Sequence, residues 1–313
     1  MLSSPRLTFL GTGTSSGVPV IGCDCAVCRS ADPRDQRLRT SGLLEFTDAI
    51  GHRRVVLIDA GPDLRQQALR RGLDRCDAIL FTHSHVDHTW GLDEVRRFNA
   101  VMRCPLPIYA DRATMEHLHV VYSHIFQRDR NVNDSFVATL VPTLIEPLKP
   151  FELFGVQVTP LPLLHGNLPV LGFRFDALDT TLRPAREQPT PLPLAWCTDC
   201  NGMPPETWPR LRGLDTLVLD MLRYRKHPTH YSLDESLRVA EQSGARSTWL
   251  VHMTHDVEHA DLSARLPEGV HLAFDMAELP ARPDGAPPTA SAAQAPADSS
   301  TTRRASPHAP SHH

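Results

Sequence analysis

Short apolar runs recur along the chain at 7–10, 55–58, 78–81, 156–159, 171–175, 194–197, 216–219, 248–251 and 270–274. Each is four or five residues long and several are apolar at every position, which predicts strands buried on both faces. Between them the pattern changes. Pro62 and Asp63 open a helical stretch that stops at Gly72, and Ser232 with Glu235 forms a capping box before another that stops at Gly244. Residues 92–100 and 113–126 predict two further helices. Strands and helices interleave without a G-x-G-x-x-G fingerprint and without a fixed-period repeat, so the chain reads as one α/β domain built on sheets over residues 1–279. From 280 to 313 it becomes rich in Pro, Ala and Ser with almost no large apolar residue, the composition of a disordered tail.

Composition narrows the class. Hydrophobic residues make up 41% of the 313 and charged residues 22%, as in soluble globular proteins. The formal charge is −4 and no dense Lys/Arg block occurs, so no extended nucleic-acid surface is expected. No apolar run reaches the roughly 18 residues of a membrane helix, and the amino terminus lacks the pattern of a secretory leader. The expectation is a cytoplasmic protein without a membrane partner. Three of the seven cysteines crowd into CDCAVC, too tight for mutual disulfides of ordinary geometry, and reduced thiolates kept for a metal explain that spacing better.

The sharpest pattern is THSHVDHTWG, directly after the apolar run at 78–81. His83 and His85 are two apart and share a face of an extended segment; Asp87 and His88 follow at once. Imidazole nitrogen and carboxylate oxygen suit zinc, manganese or iron, and four such groups at a strand end can hold two ions. A lone loop histidine is ordinarily solvated. Burying this many polar groups together without a cation would leave several unsatisfied.

With H-x-H-x-D-H after a strand, the sequence resembles the metallo-β-lactamase fold superfamily of di-metal hydrolases over most of residues 5–275. That resemblance implies an αββα sandwich of two mixed sheets flanked by helices. It also implies further ligands where strands end: His165 in LPLLHGN, Asp199 in LAWCTDC and His252 in WLVHMTH. His83, His85 and His165 would hold one divalent ion and Asp87, His88 and His252 the other, with Asp199 bridging. The pair would be manganese or zinc, with iron open. His52, His117, His119 and His124 have no comparable setting and are assigned to the surface or to packing.

Cys23, Cys25 and Cys28 supply three thiolates that can close on a structural zinc, which needs a fourth ligand. The opening GTGTSSGVPVIGCDCAVC is similar to the branch containing the phosphoribosyl 1,2-cyclic phosphate phosphodiesterases. There the fourth ligand is a histidine three positions after the last active-site histidine, which implies His255 in HMTH. Cys197 and Cys200 are rivals for that place, although Asp199 between them is needed elsewhere; Cys76 and Cys104 are expected to be thiols without a role. The GTGTSSG loop can either present N–H groups to an anion or simply turn the chain.

The branch implies a metal-dependent phosphodiesterase acting on a small cyclic phosphate diester, of the phosphoribosyl 1,2-cyclic phosphate or 2′,3′-cyclic nucleotide type, with a metal-bridged hydroxide as nucleophile. Asp87 would orient the attacking water. His230, just ahead of the Ser232 capping box, would assist proton transfer or bind the phosphate, with His227 as its nearby competitor. A transfer-RNA-processing ribonuclease shares the ligands, but no basic arm is present. A pyrroloquinoline-quinone biosynthesis protein would use the scaffold without hydrolysis. Residues 100–150 are expected to supply part of the pocket wall, and a homodimer stays open.

Overall fold

A computed structural model describes residues 2–127, 136–178 and 190–280; the expected tail lies outside the described residues. Two seven-stranded mixed sheets face each other. The first contains β1 (Ser3–Gly11), β2 (Ser41–Thr47), β3 (Arg53–Ile58), β4 (Ala78–Leu80), β5 (Leu106–Ala110), β6 (Leu140–Leu144) and β14 (Glu278–Leu279), in the order β14-β1-β2-β3-β4-β5-β6. The second contains β7 (Phe151–Leu153), β8 (Val156–His165), β9 (Leu168–Ala177), β10 (Leu194–Cys197), β11 (Thr216–Asp220), β12 (Ser247–Val251) and β13 (Val270–Leu272), in the order β13-β12-β11-β10-β9-β8-β7. Each begins as antiparallel hairpins and continues as parallel strands, from β3 to β6 and from β10 to β13.

Alternation along β3 explains why its sequence looked continuously apolar. Val56 and Ile58 point into the core between the sheets, beside Phe9, Phe173, Phe175 and Trp196. Val55 and Leu57 point outward into a second core under α1 (Leu64–Arg71), α3 (Arg96–Met102) and α4 (Arg112–Val121). A third core lies outside the other sheet, where Leu217 and Leu219 meet Val239 of α6 (Leu233–Ser243) and Leu262 of α7 (His259–Ser263). The αββα sandwich follows, because each sheet has two apolar faces to cover. At roughly 25 cal/mol per Å² of apolar surface removed from water, each of the three layers contributes to holding the sandwich together.

The expected helix at 113–126 divides at Tyr122 into α4 and α5 (Ser123–Phe126), and 92–100 begins as a 3-10 turn (Leu92–Val95) before α3. The run at 156–159 is the start of β8 and that at 171–175 the middle of β9, two ten-residue strands paired as a hairpin from Val156↔Ala177 to His165↔Leu168. The last expected strand ends at Leu272 instead of 274. Among the described residues no helix is long and apolar enough to cross a membrane.

The strand ends define the functional edge. β3 delivers Asp59, β4 the 81–88 loop, β8 His165 as its last residue, β10 Asp199, β11 Asp220 and β12 His252. α2 (Val86–Thr89) presses so closely on the loop after β3 that a Cβ on Gly61 would sit 2.0 Å from the Asp87 carbonyl oxygen. Only glycine allows that approach.

Candidate metal centre

His83, His85, Asp87, His88, His165, Asp199 and His252 come from four chain segments and converge on one place. The rings of His83 and His85 lie 4.5 Å apart, His83 and His88 4.3 Å, His85 and His165 5.1 Å, and His88 and His252 5.9 Å. Asp199 stands between two sets of nitrogens. Its Oδ2 is 3.9 Å from His83 Nε2, while Oδ1 is 3.2 Å from His88 Nε2 and 3.1 Å from His252 Nδ1. Three groups of donors share this carboxylate: His83 and His85; Asp87, His88 and His252; and His165, which falls with His230 instead of with His83 and His85.

The nitrogens are oriented before any cation arrives. His88 Nδ1 donates to Asp59 Oδ2 at 2.8 Å. Thr82 Oγ1 donates to the same oxygen, so its lone pair receives His83 Nδ1–H at 2.9 Å. His165 Nδ1 donates to the Thr229 carbonyl at 2.7 Å. In each ring the other nitrogen is left with its lone pair facing inward. Nε2 of both His83 and His88 is buried without a hydrogen-bond partner, which is costly unless a cation accepts the lone pair. The donor set therefore fits divalent ions.

Electrostatics agree. Burial holds His83 well below the usual imidazole range and brings His252 down to about 4, so both stay neutral, as ligands must be. Burial pushes Asp199 up, but the His252 and His88 charges outweigh it and hold the carboxyl well below the usual range; the same contest, led by His88, holds Asp87 low. At His88 burial opposes protonation, yet Asp199, Asp59 and Asp87 together raise its proton affinity well above normal. Three carboxylates at one point call for positive charge.

Backbone strain marks the same positions. Asp59, Asp199 and His252 all have positive φ, at 62°, 52° and 66°. Non-glycine residues adopt this region at a cost, and it persists where the surroundings fix it.

His230 also joins the centre, its ring 4.5 Å from His165 and 4.8 Å from His252. Its Nδ1 donates to Asp220 Oδ2 at 2.8 Å, which aims Nε2 away from the buried carboxylate. Burial lowers its proton affinity, but Asp220 reverses the balance and the net shift is upward. His227 lies one ring further out, 5.3 Å from His230. Burial lowers it, with the His230 and Arg223 charges adding to the effect.

Cys23, Cys25, Cys28 and His255 form a separate cluster. The three Sγ atoms lie 3.1, 3.5 and 3.5 Å from His255 Nδ1, and all four atoms are within 4.8 Å of one another. Backbone N–H of Cys28 and Val20 donate to Cys25 Sγ and Cys28 Sγ. The Cys28 hydrogen bond leads the causes that bring the Cys25 thiol down to about 7. Cys197 and Cys200 are buried beside Asp199 and lie outside this cluster. In the GTGTSSG loop the amides of Gly13, Thr14 and Gly17 are taken up by the carbonyls of Leu38, Met253 and Thr14.

Asp59 and Asp220 were not singled out from the sequence. Both end apolar strands, VVLID and TLVLD, the same signal that marked Asp199. His124 lies 2.9 Å from Asp93, and His119 packs on Phe126, away from the centre.

A sandwich whose ligand-bearing loops gather at one edge defines a metal-dependent hydrolase fold, and the comparisons agree. The family model of the beta-lactamase superfamily domain matches residues 54–253, and the chain belongs to that family. A solved diphosphatase from the PhnP family superposes with a TM-score of 0.76 at 39% identity, covering 89% of this chain and 98% of its own. An octanoyltransferase of Porphyromonas gingivalis is 35% identical over 280 residues, covering 87% of this chain. The chain spans only 51% of that relative's length. Coenzyme PQQ synthesis protein B of Methylobacterium nodulans is 27% identical over 230 residues, covering 68% of this chain and 71% of its own.

Proposed function

We propose that the chain is a cytoplasmic metal-dependent phosphodiesterase that hydrolyses a small cyclic phosphate diester. The observation that carries this reading is Asp199, whose two oxygens face separate sets of buried nitrogens. In this reading His83, His85 and His165 would hold one divalent ion and Asp87, His88 and His252 the other, with Asp199 serving both, and the pair would be manganese or zinc. Cys23, Cys25, Cys28 and His255 would hold a structural zinc. Bound divalent ions supply Lewis-acid chemistry, neutralising phosphate oxygens and acidifying water.

The chain's own groups do the rest. Asp59, Thr82 and the Thr229 carbonyl keep the ligand rings in the tautomer that leaves a lone pair inward. Asp87 orients the attacking water. His230, protonated because Asp220 sustains its charge, gives a proton from Nε2 to the departing alkoxide.

A second reading is cleavage of a phosphoanhydride, favoured by the 39% identity to a diphosphatase. The test is metal analysis followed by assay of the zinc- and manganese-loaded protein. The substrates are bis(p-nitrophenyl) phosphate, 2′,3′-cyclic AMP, ribose 1,2-cyclic phosphate, a dinucleoside diphosphate and a transfer-RNA precursor. Turnover of the cyclic diesters, lost in His83→Ala, is expected. Turnover confined to the diphosphate would favour the second reading, and turnover confined to the RNA a ribonuclease. Full metal content with no turnover of any phosphate overturns hydrolysis of phosphates and leaves a role like that of the PQQ synthesis relatives.

A further inference from the structure

Asn201 stands two residues past Asp199 and is half-buried. Its backbone is fixed against the end of β8: its N–H donates to the Leu164 carbonyl at 2.9 Å, and Leu164 N donates to the Gly202 carbonyl at 3.0 Å. From that base the side-chain amide reaches two other segments. Gly166 N donates to Oδ1 at 2.8 Å, and Nδ2 donates to the Pro228 carbonyl at 2.8 Å. An N–H on one side and a carbonyl on the other require one acceptor and one donor, so the partners fix which way the amide faces.

Both contacts fall next to one hydrogen bond of the centre. Gly166 follows His165, Pro228 precedes Thr229, and His165 Nδ1 donates to the Thr229 carbonyl at 2.7 Å. Asn201 thus closes a ring of contacts around the bond that sets the His165 tautomer. Turn and loop meet closely there: a Cβ on Gly166 would lie 2.9 Å from Thr229 Cγ2. Among the described residues, the hydrogen bonds that join 227–229 to other segments are those from Asn201 and His165. A carbonyl at such a loop tip orients an imidazole only as firmly as the tip itself is held. The ligand atoms of His165, Asp199 and His230 lie within 4.8 Å of one another, and these residues belong to the three segments that Asn201 ties together.

We propose that Asn201 is a positioning residue of the metal centre: it holds the Thr229 carbonyl on His165 and so keeps His165 Nε2 turned toward the ion assigned to His83, His85 and His165. This rests on the di-metal reading above and adds how one of its ligands is held in place. Water can satisfy Gly166 N or the Pro228 carbonyl separately, but it does not fix the span between them. Removing the amide therefore loosens this ligand without unfolding the chain.

The test measures zinc affinity by chelator competition, with bound zinc counted by elemental analysis. Asn201→Ala is expected to weaken one active-site equivalent about 10-fold and to leave the other, and the cysteine-bound zinc, as in wild type. Asn201→Ser, too short to bridge both partners, is expected to show the same selective loss. In His165→Ala, where that ion is already weakened, adding Asn201→Ala is expected to change nothing further. Unchanged affinity in both Asn201 variants overturns the proposal. Equal weakening of both ions, or a further loss in the double variant, also overturns it, because either marks general loosening and not an action through His165. If wild type holds zinc only at the cysteine cluster, the di-metal reading fails and the proposal falls with it; two active-site ions without a selective loss fell the proposal alone.

Discussion

Asp59 touches none of the proposed ions yet controls how two ligands face them. It is fully buried and accepts from His88 Nδ1 and Thr82 Oγ1 on one oxygen and from Thr82 N on the other, each at 2.8 Å. An amide in its place must turn an NH2 toward one of these donors. Asp59→Asn is therefore expected to weaken metal binding about 10- to 100-fold, measured by competition with a chelator; unchanged affinity would remove Asp59 from this role. His230 makes the opposite case. If it serves the leaving group, His230→Ala keeps its metal content and loses most diesterase turnover, about 100-fold or more. Loss of the metal together with the turnover would make it a ligand, a role the short separations among His165, Asp199 and His230 also permit.

At the scale of elements, the cysteine cluster and the metal centre are tied through four consecutive residues. His252 directly follows β12, and His255 comes after Met253 and Thr254. Met253 N donates to the Thr12 carbonyl, Thr14 N to the Met253 carbonyl, and the fully buried Arg37 bonds the carbonyls of Thr254 and Val257. His255→Ala should lower bound zinc by one equivalent in elemental analysis and reduce the thermal midpoint, whereas retained zinc would exclude His255 as a ligand. Much of this was legible because each ligand closes an apolar strand, a pattern visible in one dimension. The supporting contacts were not. Thr40 meets His252 across 212 positions and Thr229 meets His165 through a backbone carbonyl, so no side-chain pattern announces either. β2 was hidden because SGLLEFT mixes glycine and glutamate into the run, and β5 and β6 because each contains a proline. The break between α4 and α5 at Tyr122 has no glycine or proline to mark it; the Tyr122 hydroxyl donates instead to the Thr89 carbonyl beside the site.

For the whole molecule, one carboxyl far from the proposed ions governs how stability varies with pH. Asp275, between β13 and β14, is buried where the amino-terminal loop meets the end of the fold. It accepts from Thr12 Oγ1 and Leu38 N, with Arg70 Nη1 at 3.6 Å and the Arg37 charge nearby. Burial is the largest influence, exceeds these hydrogen bonds and charges, and raises its pKa from 3.8 to about 7. A carboxyl raised on folding makes the native state bind more protons than the unfolded chain between those values. Its contribution is thus complete below pH 3.8 and lost as pH rises toward 7. Asn fits the same contacts, its oxygen accepting from Leu38 N and its NH2 donating to Thr12 Oγ1, without a charge to bury. Stability measured by urea unfolding of metal-loaded protein should therefore improve in Asp275→Asn relative to wild type as pH is taken from about 5 to 8, with about 3 kcal/mol as the ceiling for the change over that range. A difference between the two proteins that stays constant across that range would show that Asp275 is ionised throughout, and that Arg70 and Arg37 compensate it in full.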